Sequence, residues 1–184
     1  MISVRNVLVP IDFSKASKAV VKYAIDAEAH KNDHLVLLHA YRLIADDFSS
    51  QRDSPVELRK SIESQLLQNY NTFNENLDLR KKPNHLEFKM EVGFTVNCIR
   101  SLCRQNKFDL ILYALKEGKK NEQLADLIKL GCSPVQLISE KYNAETTKSL
   151  IGKGISRADF FDSWEDYIHQ IEQNPKLSYT VAPD

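Results

Sequence analysis

The stretch Val4 to Ser14, Val-Arg-Asn-Val-Leu-Val-Pro-Ile-Asp-Phe-Ser, constrains the chain more than any other. It is an apolar run that breaks off at Pro10, Asp12 and Ser14, and residues 15 to 30 then carry apolar side chains at helical spacing. A continuous apolar run predicts a strand covered on both faces, the habit of parallel sheets sandwiched by helices. Ligands of open α/β sheets bind beyond the carboxyl ends of the strands, so Pro10, Asp12 and Ser14 are candidates for ligand contact.

The pattern repeats down the chain. Ser14 is placed to cap a helix whose Ala16, Ala19, Val20, Tyr23, Ala24 and Ala27 share one face. His34 to Ala40 predicts a second buried strand, parallel to the first through a right-handed crossover. Ser54-Pro55-Val56-Glu57 is a capping box with proline at the first helical position, opening a long helix through Leu58, Ile62, Leu66, Tyr70, Phe73 and Leu77. Arg80-Lys81-Lys82 and Pro83 close it, as basic residues suit the negative helix end.

Leu86 to Val92 alternates strictly with Glu87, Lys89 and Glu91, which predicts an edge strand wetted on one face. Thr95 is placed to cap a third helix with Val96, Ile99, Leu102 and Cys103 on one side. Phe108 to Ala114 is a central strand, Asn121 to Leu130 a short helix and Pro134 to Ile138 a fifth strand. Alternating strands and helices predict a three-layer α/β/α domain over residues 1–140, with a five-stranded parallel sheet in the order 3-2-1-4-5.

At 184 residues the chain suits one such domain plus an appendage. Its 25 basic and 25 acidic residues balance, so no global field favours nucleic acid or an anionic membrane. With no secretory pattern, no long apolar run and three cysteines without a Cys-x-x-Cys pair, the expectation is a cytoplasmic protein. Cys98 and Cys103 point about 140° apart on their helix, which argues against a redox pair and for burial of Cys103 in the apolar stripe.

Val7 to Ser14 followed by Ser17 and Ala19, Leu38-His39-Ala40, Val92-Gly93, Asp109-Leu110-Ile111 and Ser133-Pro134-Val135 together resemble the universal stress protein family, in register over residues 2 to 139. The resemblance implies that fold, and the family's nucleotide-binding members hold phosphates with Gly-x2-Gly-x9-Gly-Ser/Thr after the fourth strand. Here that segment reads Ala114-Leu115-Lys116-Glu117-Gly118-Lys119-Lys120-Asn121-Glu122, about seven residues shorter, with Ala114 for the first glycine and Asn121-Glu122 for the last pair. The chain therefore resembles members that lack the ATP motif, and neither cofactor nor metal is expected.

Asp12 is read as a helix cap and loop organiser, or, from the resemblance, as a nucleoside contact. The second reading puts adenosine of ATP or AMP near Asp12 and Ala40, with Ala114 and Gly118 in the degenerate loop and weak ATPase activity as its extreme. His39 reads as a hydrogen-bonded core histidine. Lys116, Lys119 and Lys120 read as a solvated turn, or as an anion or metabolite site. No catalytic constellation can be assembled. The leading expectation is a non-catalytic stress-response protein acting as a homodimeric interaction module. In members of that family the last strand often pairs across a two-fold axis, so the resemblance makes Val135 and Leu137 dimer-edge candidates.

Residues 141–155 read as a polar linker and 156–184 as an amphipathic helical tail. Phe160, Phe161, Trp164, Tyr167, Ile168 and Ile171 make an aromatic stripe too dense to stay in water. It packs on its own domain or a second subunit, or it anchors in a groove of another protein.

Overall fold

The computed structural model describes residues 4–26, 32–43, 54–77, 85–117, 121–143 and 150–183. Among these residues the elements in chain order are β1 (Asn6–Pro10), α1 (Lys15–Asp26), β2 (His34–Tyr41), α2 (Pro55–Glu75), β3 (Leu86–Val92), α3 (Thr95–Gln105), β4 (Leu110–Leu115), α4 (Glu122–Leu130), β5 (Val135–Ser139), β6 (Ile151–Ile155), α5 (Arg157–Asp162), α6 (Trp164–Gln173) and β7 (Leu177–Val181). The strands form one sheet in the order β3-β2-β1-β4-β5-β7-β6. The predicted 3-2-1-4-5 order is present, with all four pairings parallel, and two further strands extend it. Among the described residues seven strands, not five, make the sheet.

Alternation within each buried strand divides the core into two faces. Val7, Val9, Leu35, Leu37, Leu110 and Leu112 meet α1 and the end of α2. Leu8, Val36, Leu38 and Ile111 meet α3, α4, α5 and α6. Residues Val7, Leu8 and Val9 have no exposure at all, as a strand covered on both sides requires. The local signals for α1 and α2 work as read. Ser14 Oγ accepts from Ser17 N–H, and the Ser54–Glu57 capping box closes in both directions. Thr95, by contrast, is the first helical residue of α3, with Phe94 at the cap position and no side-chain cap.

The appended segment departs from the expected linker and helical tail. Residues 151–155 of that linker form β6, and the tail ends in a strand, β7, that runs antiparallel to β5 and parallel to β6. The helix between them breaks at Ser163, whose φ of −141° is not helical. Val135 and Leu137 therefore do not lie on a free edge: they register with Val181 and Tyr179 of the same chain. Inside this junction Gln136 Nε2 donates to Tyr23 Oη at 3.1 Å and to Ser178 Oγ at 3.2 Å, so one buried amide ties α1, β5 and β7 together.

The aromatic stripe packs in cis. Phe160 and Ile171 are fully buried in the core shared with α3 and α4, and Phe161, Trp164, Tyr167 and Ile168 lie half-covered against it. Tyr179 Oη donates to Gln170 Oε1 at 2.5 Å, fixing α6 over β7. The run 78–84, with the expected basic helix stop, lies outside the described residues.

Phe160→Ala should lower unfolding free energy by about 3–5 kcal/mol, since a buried ring leaves a cavity that its neighbours fill only partly. Urea unfolding followed by circular dichroism measures this, and a loss below about 1 kcal/mol would mean that the stripe is not docked.

Candidate functional site

The strand order turns between β1 and β4, and a crevice of about 370 Å³ opens at their carboxyl ends. Its walls come from Pro10, Ile11, Asp12 and Ser17 on one side and Tyr113, Ala114 and Lys116 on the other. Thr95, Asn121 and Gln123 add the starts of α3 and α4.

Asp12 is the most constrained group here. Ser14 N–H donates to its Oδ1 at 3.1 Å and Ser17 Oγ–H to the same oxygen at 2.7 Å, while its own N–H donates to Ser17 Oγ. Its Oδ2 is ion-paired with the Lys116 ammonium from across the crevice. Partial burial pushes its pKa up. The hydrogen bonds from Lys116, Ser14 and Ser17 outweigh that and hold the carboxyl well below the usual carboxylate range. Across the cleft, burial and the nearby Asp12 charge raise the Tyr113 phenol to about 12, so it stays a hydrogen-bond donor.

The turn next to Asp12 is strained. Phe13 has φ +61°, a left-handed conformation unusual for a bulky residue. Its ring stacks on His39 at 4.6 Å and meets Phe73 edge-on at 5.6 Å, contacts that hold the turn in place. His39 Nδ1 lies 3.0 Å from the Ile11 carbonyl, which makes that nitrogen the protonated one. This is the hydrogen-bonded histidine read from the sequence.

Of the ligand candidates, Pro10, Asp12 and Ala114 meet at the crevice. Ser14 supports it through Asp12, and Ala40 lies outside the crevice lining, half-covered against the α3/α4 core. Gly118, Lys119 and Lys120 lie outside the described residues. Lys116 is not simply solvated, since it closes on Asp12. Sequence reasoning missed Tyr113 and Gln123, and read Thr95 as a helix cap without placing it at the crevice. Their one signal was position, Tyr113 in the carboxyl half of β4 and Thr95 and Gln123 in the first turns of α3 and α4. Among the described residues no group of three or more His, Cys, Asp or Glu side chains is placed to hold a metal, and no helix is long and apolar enough to cross a membrane.

Helices on both faces of a mostly parallel sheet, with a crevice at the switch point between β1 and β4, define the class of doubly wound α/β domains. The family model described as "Universal stress protein family" matches residues 3–124, and the chain belongs to that family. Similar solved structures include a hypothetical protein with 14% identity and a TM-score of 0.57, covering 73% of this chain and 95% of that one. A universal stress protein in complex with cAMP has 16% identity and a TM-score of 0.54, with 76% of this chain and 99% of that one covered. A member of the same family from Burkholderia pseudomallei has 12% identity and a TM-score of 0.54, with 73% and 95% covered. At these identities the likeness is one of fold. No curated protein matches the chain.

Burial lowers the His39 pKa from its ordinary value near 6.5, against the opposing pull of the Ile11 carbonyl and Asp12. As pH falls the unfolded chain therefore takes up the His39 proton first. Its contribution is complete above pH 6.5 and is lost below it. Urea midpoints should fall between pH 7 and pH 5, with a smaller fall in His39→Gln. Equal slopes in the two proteins would place the effect elsewhere.

Proposed function

We propose that the protein is a non-catalytic binding and interaction module of the universal stress protein family, whose crevice does not hold a triphosphate in the family manner. The observation that carries this reading is the ion pair of Asp12 with Lys116 across the crevice. A nucleoside hydroxyl seeking Asp12 has to displace an ammonium already bound there, and charge-assisted hydrogen bonds are roughly twice as strong as neutral ones. The turn that would wrap phosphates is short. Lys116 N–H reaches Asn121 Oδ1 at 3.5 Å, and only residues 117 to 120 lie between them. Few backbone N–H groups remain to cradle phosphate oxygens.

A second reading, a nucleoside monophosphate or cyclic nucleotide in the same crevice, draws on one observation. The space is large enough for a small ligand and offers Lys116, Thr95 and Gln123 as polar contacts. The similar structure holding cAMP makes that ligand worth testing. Calorimetric titration with ATP, AMP and cAMP separates the two. The first reading expects no affinity tighter than about 100 μM, roughly 5.5 kcal/mol, for any of them. Tighter binding of AMP or cAMP that Asp12→Ala abolishes would establish the second.

We also propose that the chain does not dimerise through β5. The edge that a second subunit would pair with is occupied by β7, which supports a closed single chain in place of a homodimer. Light scattering at micromolar concentration should give a mass near 21.1 kDa. Twice that mass would put a second copy on another face, with the β6 edge first to be examined.

A further inference from the structure

Away from the crevice, at the far ends of α3 and α4, two free cysteines stand together. Cys103 lies in the last turn of α3, and Cys132 lies in the bend between α4 and β5. They are 29 positions apart in sequence, and their Sγ atoms are 2.9 Å apart. A disulfide bond spans about 2.05 Å, so its formation asks for less than about 1 Å of movement at a solvent-facing bend. Cys132 is exposed, Cys103 is half-covered against the core and Cys98 is buried on the core face of α3. The thiol placed in the core is thus Cys98, and Cys103 is paired with a partner that helical spacing alone does not reveal.

We propose that Cys103 and Cys132 are a redox-active pair, oxidised by hydroperoxides to an intrachain disulfide and returned to thiols by a dithiol reductant.

The chemistry divides unequally between the two sulfurs. The Sγ–Sγ contact with Cys103 and, against the cost of partial burial, hydrogen bonds with Ser133 bring the Cys132 pKa down to about 7. The same contact, with burial, pushes the Cys103 thiol up. Cys132 is also the exposed sulfur of the two, open to a peroxide from solvent where Cys103 is half-covered, and it is the thiolate that attacks. Its Sγ displaces hydroxide from hydrogen peroxide, with the O–O bond breaking as the S–O bond forms, and the hydroxide leaves as water with the Cys132 proton. The product is the Cys132 sulfenic acid. Cys103 Sγ then attacks Cys132 Sγ. The S–S bond forms, the S–O bond breaks, and the departing hydroxide takes the Cys103 proton to give a second water. Two electrons leave the sulfur pair and reduce one peroxide to two waters.

The bond would tie the end of α3 to the bend after α4. Both helices begin at the crevice, through Thr95 and through Asn121 and Gln123. Oxidation thus pins one wall of the site from its distal end.

Treatment of the full chain with hydrogen peroxide should remove two of its three thiols, lower the intact mass by two hydrogens and yield one peptide pair linking Cys103 to Cys132. Dithiothreitol should restore all three. Before oxidation, iodoacetamide should label Cys132 about tenfold faster at pH 7 than either other cysteine. Cys98→Ser should keep the disulfide and Cys132→Ser should lose it. Cys103→Ser should stop at a sulfenic acid trapped by dimedone at Cys132, a readout that does not depend on forming the bond. Three thiols surviving peroxide in the folded wild-type chain would overturn the proposal. So would a bond to Cys98, or a link only between the Cys132 residues of two chains.

Discussion

The structure depends on the double burial of β1. From Val7 to Val9 no side chain reaches water, because one face is closed by α1 and the other by the layer of α3, α4, α5 and α6. A strand in that position has both edges hydrogen-bonded, to β2 and to β4, so its only outlet to solvent is its carboxyl end. The first polar side chain beyond it is Asp12, and the crevice forms around that residue because the crossovers from β1 and β4 leave in opposite directions there. The strained Phe13 follows from the same geometry. Chain leaving a buried strand must turn at once into α1, and the ring is held in its left-handed conformation by His39, Phe73 and Phe88.

Much of this was legible in residue order. Continuous apolar runs marked β1, β2 and β4, strict alternation marked β3 as an edge, and the capping box at Ser54 marked the start of α2. Two strands were not legible, and each for its own reason. Ile151-Gly152-Lys153-Gly154-Ile155 has glycines where strand formers belong and is exposed through four of its five positions, so nothing local distinguishes it from a linker. It is a strand because β7 offers it a ladder. Leu177-Ser178-Tyr179-Thr180-Val181 does carry strand-forming residues, but it follows a strong helical stripe, and only the unpaired edge of β5 explains why it turns back to pair. Tertiary demand decided both segments.

The site divides in the same way. Asp12 and its hydrogen bonds to Ser14 and Ser17 are local and could be read from spacing, whereas Lys116 comes from 104 positions away. Composition cannot tell a solvated lysine from one delivered by strand pairing onto a carboxylate. The difference matters chemically, since that pairing converts an anionic strand end into a nearly neutral one and leaves Thr95, Tyr113 and Gln123 as polar groups around it.

The appended segment belongs to this same arrangement. Phe160 and Ile171 share a core with Leu102 and Leu127, so α5 and α6 bear directly on the two helices whose first residues border the crevice. At the α4 end the contact is close. The Lys129 ammonium sits 5.8 Å from the Phe161 ring centre, and a side chain at Gly131 would come within 3.1 Å of the Arg157 guanidinium. Gly131 also holds φ +59°, the left-handed cap that ends α4 and directs the chain through Cys132 into β5. The bend is thus constrained by backbone conformation on one side and by the appended helices on the other. Loss of the appended layer would expose the β5 edge and free this bend together, because β7, α5 and α6 are covers of one continuous surface.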